Sequence, residues 1–340
     1  MLAVWYDENG PARRVLRFGD RAKPDPDAGE VRVKVHAAGV NPSDVKTRAG
    51  LRAPIAFPTV IPGNDGAGVI DACGEGVSQA RVGDRVWVFN AGWQRPFGTS
   101  AQYVCVPEVW APVLPSPLSF AQGACLGVPV MTAHRALFAD GPVTGLNVLV
   151  TGGAGVVGHY AIQLAKWGGA NCVAATVSSE AKAAHARAAG ADIVVDYKRD
   201  DVVRRLSHEI GAHHFHRVVD VDLNQNIDTL TKLVAADGVI AAYASMSDAR
   251  PQLPFYELAG LNAVIRPVLV YSLSDRARAA AVADIALWAG TGRGSFAIAK
   301  TFPFDQAAAA HEYVEAGDKL GHVILEIIPS DAGDTRGANA

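Results

Sequence analysis

Val148-Leu-Val-Thr-Gly152-Gly153-Ala-Gly155-Val-Val-Gly158-His-Tyr-Ala-Ile-Gln-Leu-Ala-Lys-Trp167-Gly168 decides how the rest of the chain is read. A short β-branched run passes into glycines and then into a periodic apolar segment. Val157, Ala161, Leu164 and Ala165 fall on one helical face, and Gly168-Gly169 closes it. Gly153-x-Gly155-x-x-Gly158 therefore lies between a strand and a helix, where a dinucleotide fingerprint has to lie. In such a turn one glycine makes the bend, one lets the backbone approach a pyrophosphate, and one lets the helix pack closely on the strand. The helix N-terminus then faces the phosphates. Gly152, Gly153, Ala154, Gly155, Val156, Val157 and Gly158 form the expected cradle.

Downstream, strand-like and helix-like segments alternate. Residues 172–176 precede 180–189, closed by Gly190; 192–196 precede 200–210, closed by Gly211; 217–221 precede 227–236, closed by Gly238; 239–244 end the series. Such alternation requires a parallel sheet with crossover helices, a doubly wound α/β domain. Upstream, residues 1–120 are β-rich. Val31-Arg-Val-Lys-Val35 alternates as a half-buried strand does, and 65–73, 83–89 and 101–106 are further strands cut short by prolines. Residues 119–125 and 131–138 have alanine-rich helical patterns. After the alternating middle, 263–271 reads as a strand that Pro267 confines to an edge or a bend. A helix at 276–288, a strand near Ile298, a helix at 306–315 and a strand at 323–327 follow. Residues 330–340 are small and polar, a flexible tail.

The 340 residues are 49% hydrophobic and 19% charged, enough for two cores, and a net charge of -3 without a basic block argues against a nucleic-acid surface. Cys73, Cys105, Cys125 and Cys172 form no C-x-x-C pair, so neither a disulfide framework nor a cysteine zinc site is indicated. Met1 runs straight into strand-like sequence, and no apolar run spans a bilayer without charges or glycines. A soluble cytoplasmic chain is the expectation.

Ala38-Gly-Val-Asn41-Pro-Ser-Asp44, Pro62-Gly-Asn-Asp-Gly-Ala-Gly68-Val69, Val82-Gly-Asp-Arg-Val86, Gly98-Thr-Ser-Ala-Gln-Tyr103, the glycine fingerprint and Gly321-His-Val-Ile-Leu325 carry a family resemblance. Over roughly residues 1 to 328 the chain resembles the medium-chain dehydrogenase/reductase superfamily, in its zinc-independent quinone oxidoreductase (zeta-crystallin-like) branch. The resemblance implies a GroES-like catalytic domain built from residues 1–120 and 266–329, around a Rossmann NADP-binding domain at 121–265. It also implies a homodimer, with residues 264–270 pairing across a two-fold axis.

Zinc alcohol dehydrogenases of this superfamily have a ligating cysteine where Asn41 stands and Gly-His-Glu where this chain has Gly63-Asn64-Asp65. Asp65 alone makes no zinc site, and no metal is expected. His213-His214-Phe-His216 is read as a solvated loop, because ligation needs convergent geometry as well as composition.

NAD-selective units place an acid after the second strand, about 20 residues past the glycines. Here that strand ends Ala174-Ala-Thr-Val177-Ser178-Ser179, and Glu180 suits the first turn of the next helix. Ser178, Ser179 and Lys182, with Tyr197, match family positions that cradle the 2′-phosphate, so NADPH is the implied cofactor, although Ser178 also fits a helix N-cap. The resemblance further implies that Asn41 and Asp44 lie at the catalytic face, Asn41 also fixing the cofactor, that Thr132 contacts the nicotinamide end, and that Ala244 and Ser245 line the cofactor cleft. Some relatives have a tyrosine just after the aspartate; here Val45 and Lys46 follow, and Lys46 is a candidate donor to an oxyanion. Trp93 and Phe97 are candidates for an aromatic wall around substrate.

The implied activity is hydride transfer from NADPH to a small quinone without zinc. Activated alkenes, enones or enoyl thioesters, are the alternative substrates for the same transfer. A non-catalytic nucleotide-sensing or RNA-binding protein of the zeta-crystallin type is the alternative from another class, and the charge of -3 counts against it.

Overall fold

The computed structural model describes residues 1–211, 213–317 and 319–328; the expected tail at 330–340 lies outside them. Contacts divide the chain into two compact units, Met1–Val128 with Ala289 onward, and Pro129–Trp288.

The first unit contains strands β1 (Leu2–Trp5), β2 (Arg17–Asp20), β3 (Glu30–Val40), β4 (Asp65–Cys73), β5 (Arg85–Val88) and β6 (Tyr103–Pro107). β3 organises it. One edge pairs antiparallel with β4, while the other is shared between β6, along Glu30 to Lys34, and a C-terminal strand, along Ala37 to Val40. The alternating Val31, Val33 and Val35 are buried, as the period of a pleated strand demands. The C-terminal Phe302, Ala310, Val323 and Leu325 complete the same core, so one hydrophobic cluster needs both chain ends.

The second unit contains β7 (Asn147–Val150), β8 (Cys172–Val177), β9 (Ile193–Asp196), β10 (Phe215–Asp220), β11 (Val234–Ala242) and β12 (Val264–Pro267), all parallel, in the order β12-β11-β10-β7-β8-β9. This is a Rossmann sheet. β7 lies where the order reverses, so the turn after it opens at the switch point used for ligand binding in such sheets. β13 (Ile298–Pro303) and β14 (His322–Glu326) return to the first unit, β14 pairing with β3.

Three sequence expectations change. The helix expected at 227–236 spans Leu223–Thr231, and β11 begins at Val234. Gly238 sits inside that strand, where Asp237 adopts a positive φ of 57° and the register against β10 shifts. The glycine marks a bulge, not a helix stop. The strand expected over 263–271 ends at Pro267, which sits on the outermost strand of the sheet. The helix Asp275–Gly290, expected in the returning segment, lies up to Trp288 in the second unit: Asp284 bonds His134 and the Trp288 ring meets Tyr160.

No helix among the described residues is long and apolar enough to cross a membrane. Leu149, fully buried in β7, packs in the cluster containing Ala174, Val218 and Ile240. Leu149→Ala is expected to remove about 2–5 kcal/mol of stability, read as a lower chemical-denaturation midpoint. An unchanged midpoint would contradict the packing described.

Candidate active site

β3 ends at Val40, and the chain turns directly into the helix Pro42–Ala49, N-capped by Asn41 with proline at its first position. Asp44, at the third position, reaches back so that the Asn41 backbone N–H donates to its Oδ2 at 2.8 Å. β4 starts at Asp65, beside β3, and the Asn41 amide Nδ2 donates to Asp65 Oδ2 at 2.7 Å. Asn64 Nδ2 donates to Asp44 Oδ1 at 2.6 Å. The four residues therefore form one network of two amides and two carboxylates.

The Asp65 carboxyl has a further donor in the next segment of the chain. The Val128 N–H lies 2.9 Å from both of its oxygens. Gly127 makes this approach possible, since a Cβ there would stand 2.0 Å from Asp65 Oδ1. Both acids are almost inaccessible, Asp44 at 4% exposure and Asp65 at 1%. Burial pushes Asp44 up to about 6 against the hydrogen bonds from Asn41 and Asn64. Burial and then the Asp44 charge push Asp65 up to about 8. Tyr6, also buried, is raised to about 12 by burial and by Asp44. Arg48, one helical turn beyond Asp44, is engaged by Glu315 at 2.5 Å and by the Gly10 carbonyl.

Lys46 lies on the same helix and is partly exposed. The loop carrying Trp93 and Phe97 folds back along residues 61–64: the Ala91 N–H donates to Asn64 O, Ile61 to Pro96 O, and Gly98 to Ile61 O. A Cβ at Gly98 would fall 2.1 Å from Gly63 O, so glycine is required for that approach. Trp93 is half-buried and Phe97 half-exposed beside this strand end.

In the second unit, Gly152 turns with φ +63°, and its N–H meets Thr176 Oγ1 at 3.2 Å. Gly153 N–H donates to Thr176 O, and Gly155 caps the helix Val156–Trp167. Gly158 packs so tightly that a Cβ would meet Gly152 O at 2.4 Å, while one at Gly153 would meet Ala175 Cβ at 2.7 Å. Gly152, Gly153 and Gly158 thus each have a steric reason. Ala154 is buried in the turn, and Val156 and Val157 open the helix whose free N–H groups face outward from the sheet end.

Beyond β8, Ser179 caps the helix Glu180–Ala188 by accepting from Lys182 N–H at 3.4 Å. Ser178 is therefore not the cap, and its Oγ accepts from Lys182 Nζ at 2.9 Å. Glu180 is turned to Arg187, 2.9 Å away. Tyr197, 53% exposed, lines a cavity of about 640 Å³ with Thr151, Gly152, Thr176, Val221 and Asp222. A second cavity of about 570 Å³ is lined by Ala244, Ser245, Tyr243, Val268 and Arg135. The helix Met131–Phe138 sends Arg135 to its wall, while Thr132, a turn earlier, is buried.

Sequence reasoning missed the part played by Asn64 and Asp65. They were weighed only as failed zinc ligands, yet they close the network around Asn41 and Asp44. Tyr6 carried no local signal, since its link to Asp44 comes from folding the chain start against 60–61. His213-His214-Phe-His216 is used structurally: His213 Nδ1 is 3.2 Å from Val234 O and His216 Nδ1 is 3.4 Å from Asn147 N. Among the described residues no three His, Cys, Asp or Glu side chains are grouped to hold a metal ion.

Residues 27–117 match the family described as alcohol dehydrogenase GroES-like domain, and 156–286 the family described as zinc-binding dehydrogenase. The rat quinone oxidoreductase is 31% identical, covering 92% of this chain and 97% of its own. A solved NAD-dependent alcohol dehydrogenase is 29% identical with a TM-score of 0.86, over 96% of this chain and 100% of its own. A mycobacterial structure solved in complex with NADPH is 27% identical with a TM-score of 0.81, again over 96% and 100%.

Gly158→Val is expected to push the helix off the turn and weaken binding of a nicotinamide dinucleotide by about tenfold or more, ~1.4 kcal/mol. Fluorescence titration measures it, and an unchanged Kd would contradict the close packing.

Proposed function

The chain belongs to the quinone oxidoreductase branch of the medium-chain dehydrogenase/reductase superfamily, and from that premise we propose that it transfers a hydride from NADPH to a small quinone without zinc. One observation carries the zinc-free chemistry. Where zinc relatives have a thiolate and an imidazole, this chain has two amides whose NH₂ groups are committed as donors to carboxylates, Asn41 to Asp65 and Asn64 to Asp44. An amide NH₂ donates and cannot ligate a cation, and neither asparagine offers the thiolate or imidazole that a zinc site prefers.

Choice of NADPH is supported by the fit of the residues beyond β8. Lys182 and Ser178 converge at 2.9 Å, Ser179 is spent as the cap, and the one nearby acid, Glu180, pairs with Arg187 instead of facing the ribose position. Lys182, Ser178 and Tyr197 would hold the 2′-phosphate, the 152–158 turn the pyrophosphate, and Ala244 and Ser245 the cleft wall. NADPH supplies, when bound, the hydride.

The chain does the rest. The quinone gains a hydride and then a proton from solvent, becoming a hydroquinone, and needs donors while its oxygen is charged. Asn41, pinned through its backbone by Asp44 and through its amide by Asp65, is the fixed polar group at this face. Lys46, a partly exposed cation on the same helix, is the candidate donor to that oxygen, and Trp93 and Phe97 offer the flat apolar wall a quinone ring packs on. Such a small-molecule centre needs no nucleic-acid partner. We also propose a homodimer through β12, the outermost strand of the parallel sheet. Sedimentation at a monomer mass across concentrations would overturn it.

NADPH oxidation with a benzoquinone is expected to exceed NADH oxidation and to be insensitive to chelator. Lys182→Ala is expected to raise the KM for NADPH about tenfold to a hundredfold, the range of a lost charged hydrogen bond, and to leave that for NADH unchanged. An equal effect on both cofactors would remove the phosphate assignment. An inert quinone with rapid turnover of an enone would move the substrate to activated alkenes.

A further inference from the structure

Asn41 is held from two sides by acids that belong to different elements. Asp44, on the helix it caps, accepts from its backbone N–H; Asp65, at the start of β4, accepts from its side-chain amide. Neither acid has an ion pair among the described residues. The nearest cation on the helix, Arg48, is taken by Glu315 and Gly10 O. The charged groups that act on the pair are Arg52, just past the helix, which favours the Asp44 charge, and Asp44 itself, whose charge raises Asp65; Tyr6, buried beside them, is in turn raised by Asp44. Asn64 Oδ1 is buried with no hydrogen-bond partner, an acceptor that adds nothing to offset a second negative charge.

We propose that Asp65 is a positioning residue for Asn41, and that the Asp44–Asp65 pair works with a single negative charge, one of the two acids keeping its proton. Two ionised carboxylates meeting at one asparagine, both almost inaccessible and neither in an ion pair among the described residues, repel at low effective dielectric. Asp65 is the acid that stays neutral. It is the more buried of the two, and among the described residues its carboxyl accepts from the Val128 and Asn41 N–H groups alone, whereas Asp44 has Asn41 and Asn64 donors and Arg52 nearby. The direction of both shifts agrees: Asp44 rises to about 6 and Asp65 further, to about 8. The proton is held, not delivered. Its work is to keep Asn41 in place and to keep a second negative charge away from an acceptor oxygen that is itself becoming negative.

The chain need not be catalytically defined for the first part to be tested, but the catalytic consequence rests on the hydride-transfer reading above. Infrared titration of the protein without cofactor or acceptor separates the two. A protonated-carboxyl C=O band that disappears with a midpoint near 8 and is missing in Asp65→Asn is the expected result. Identical spectra for wild type and Asp65→Asn through that range would overturn the proposal, whatever the protein reduces.

Thermal stability gives a second measure with a fixed sign. A raised folded-state pKa favours the protonated fold, so wild type loses stability relative to Asp65→Asn as pH rises from the ordinary aspartate range, about 4, to about 8, and the gap is constant above. A gap that does not move with pH would overturn the assignment of the proton. In turnover, Asp65→Ala is expected to lower kcat about a hundredfold, as misplacement of a fixed group does, with Asp65→Asn restoring it to within a few-fold and flattening the alkaline fall of kcat/KM. Wild-type kcat in Asp65→Ala would overturn the positioning role.

Discussion

A single buried carboxylate binds together three stretches of chain that are far apart in sequence. Asp65 opens β4, accepts from the amide of Asn41 at the end of β3, and accepts from the N–H of Val128, the last residue before the chain enters the parallel-sheet unit. Gly127 has no side chain because Asp65 occupies its place. Replacing the acid therefore does more than remove a charge. It leaves a helix cap, a strand start and a turn without their shared acceptor, and buried donors without acceptors are costly.

That constraint explains why amides stand where a metal-dependent relative would have ligands. A zinc ion would bring positive charge to the end of β3 and make nearby ionised carboxylates favourable. In the zinc-free reading proposed above, the acids are balanced by donors and a proton, and asparagine supplies donors without adding charge. The Asn41–Asp65 and Asn64–Asp44 pairs are thus two halves of one electrostatic solution. The same logic separates this face from the second unit, whose turn after β7 offers unpaired N–H groups and a lysine–serine contact suited to anions.

Much of the fold was legible because hydrophobic period and glycine placement agree with each other. β7, the glycine turn and the following helix could be placed from Val148 to Gly168 alone, since strand period, turn chemistry and helix period change over within a few residues. Where local signals have two meanings, the expectation failed. Gly238 looks like a helix stop, but a glycine beside a left-handed Asp237 equally makes a bulge, and the pairing of β11 with β10 chose the bulge. Ser178 fits a helix N-cap by sequence, but the geometry of the helix start assigns the cap to Ser179 and leaves Ser178 to Lys182.

The site was legible in its members but not in its wiring. Asn41 and Asp44 are three residues apart on one helix start, a spacing that a sequence reader can turn into geometry. Asn64 and Asp65 enter through the pairing of β4 with β3, Tyr6 through a bridge to Val60, and Val128 through a turn more than sixty residues away from the acid it binds. None of these contacts has a local periodicity. Their shared consequence is two buried acids near one another with no ion pair among the described residues. Such an arrangement persists in a folded protein only if a proton or a set of aligned donors replaces the missing cation, so the protonation state of Asp65 is part of the structure and not an addition to it.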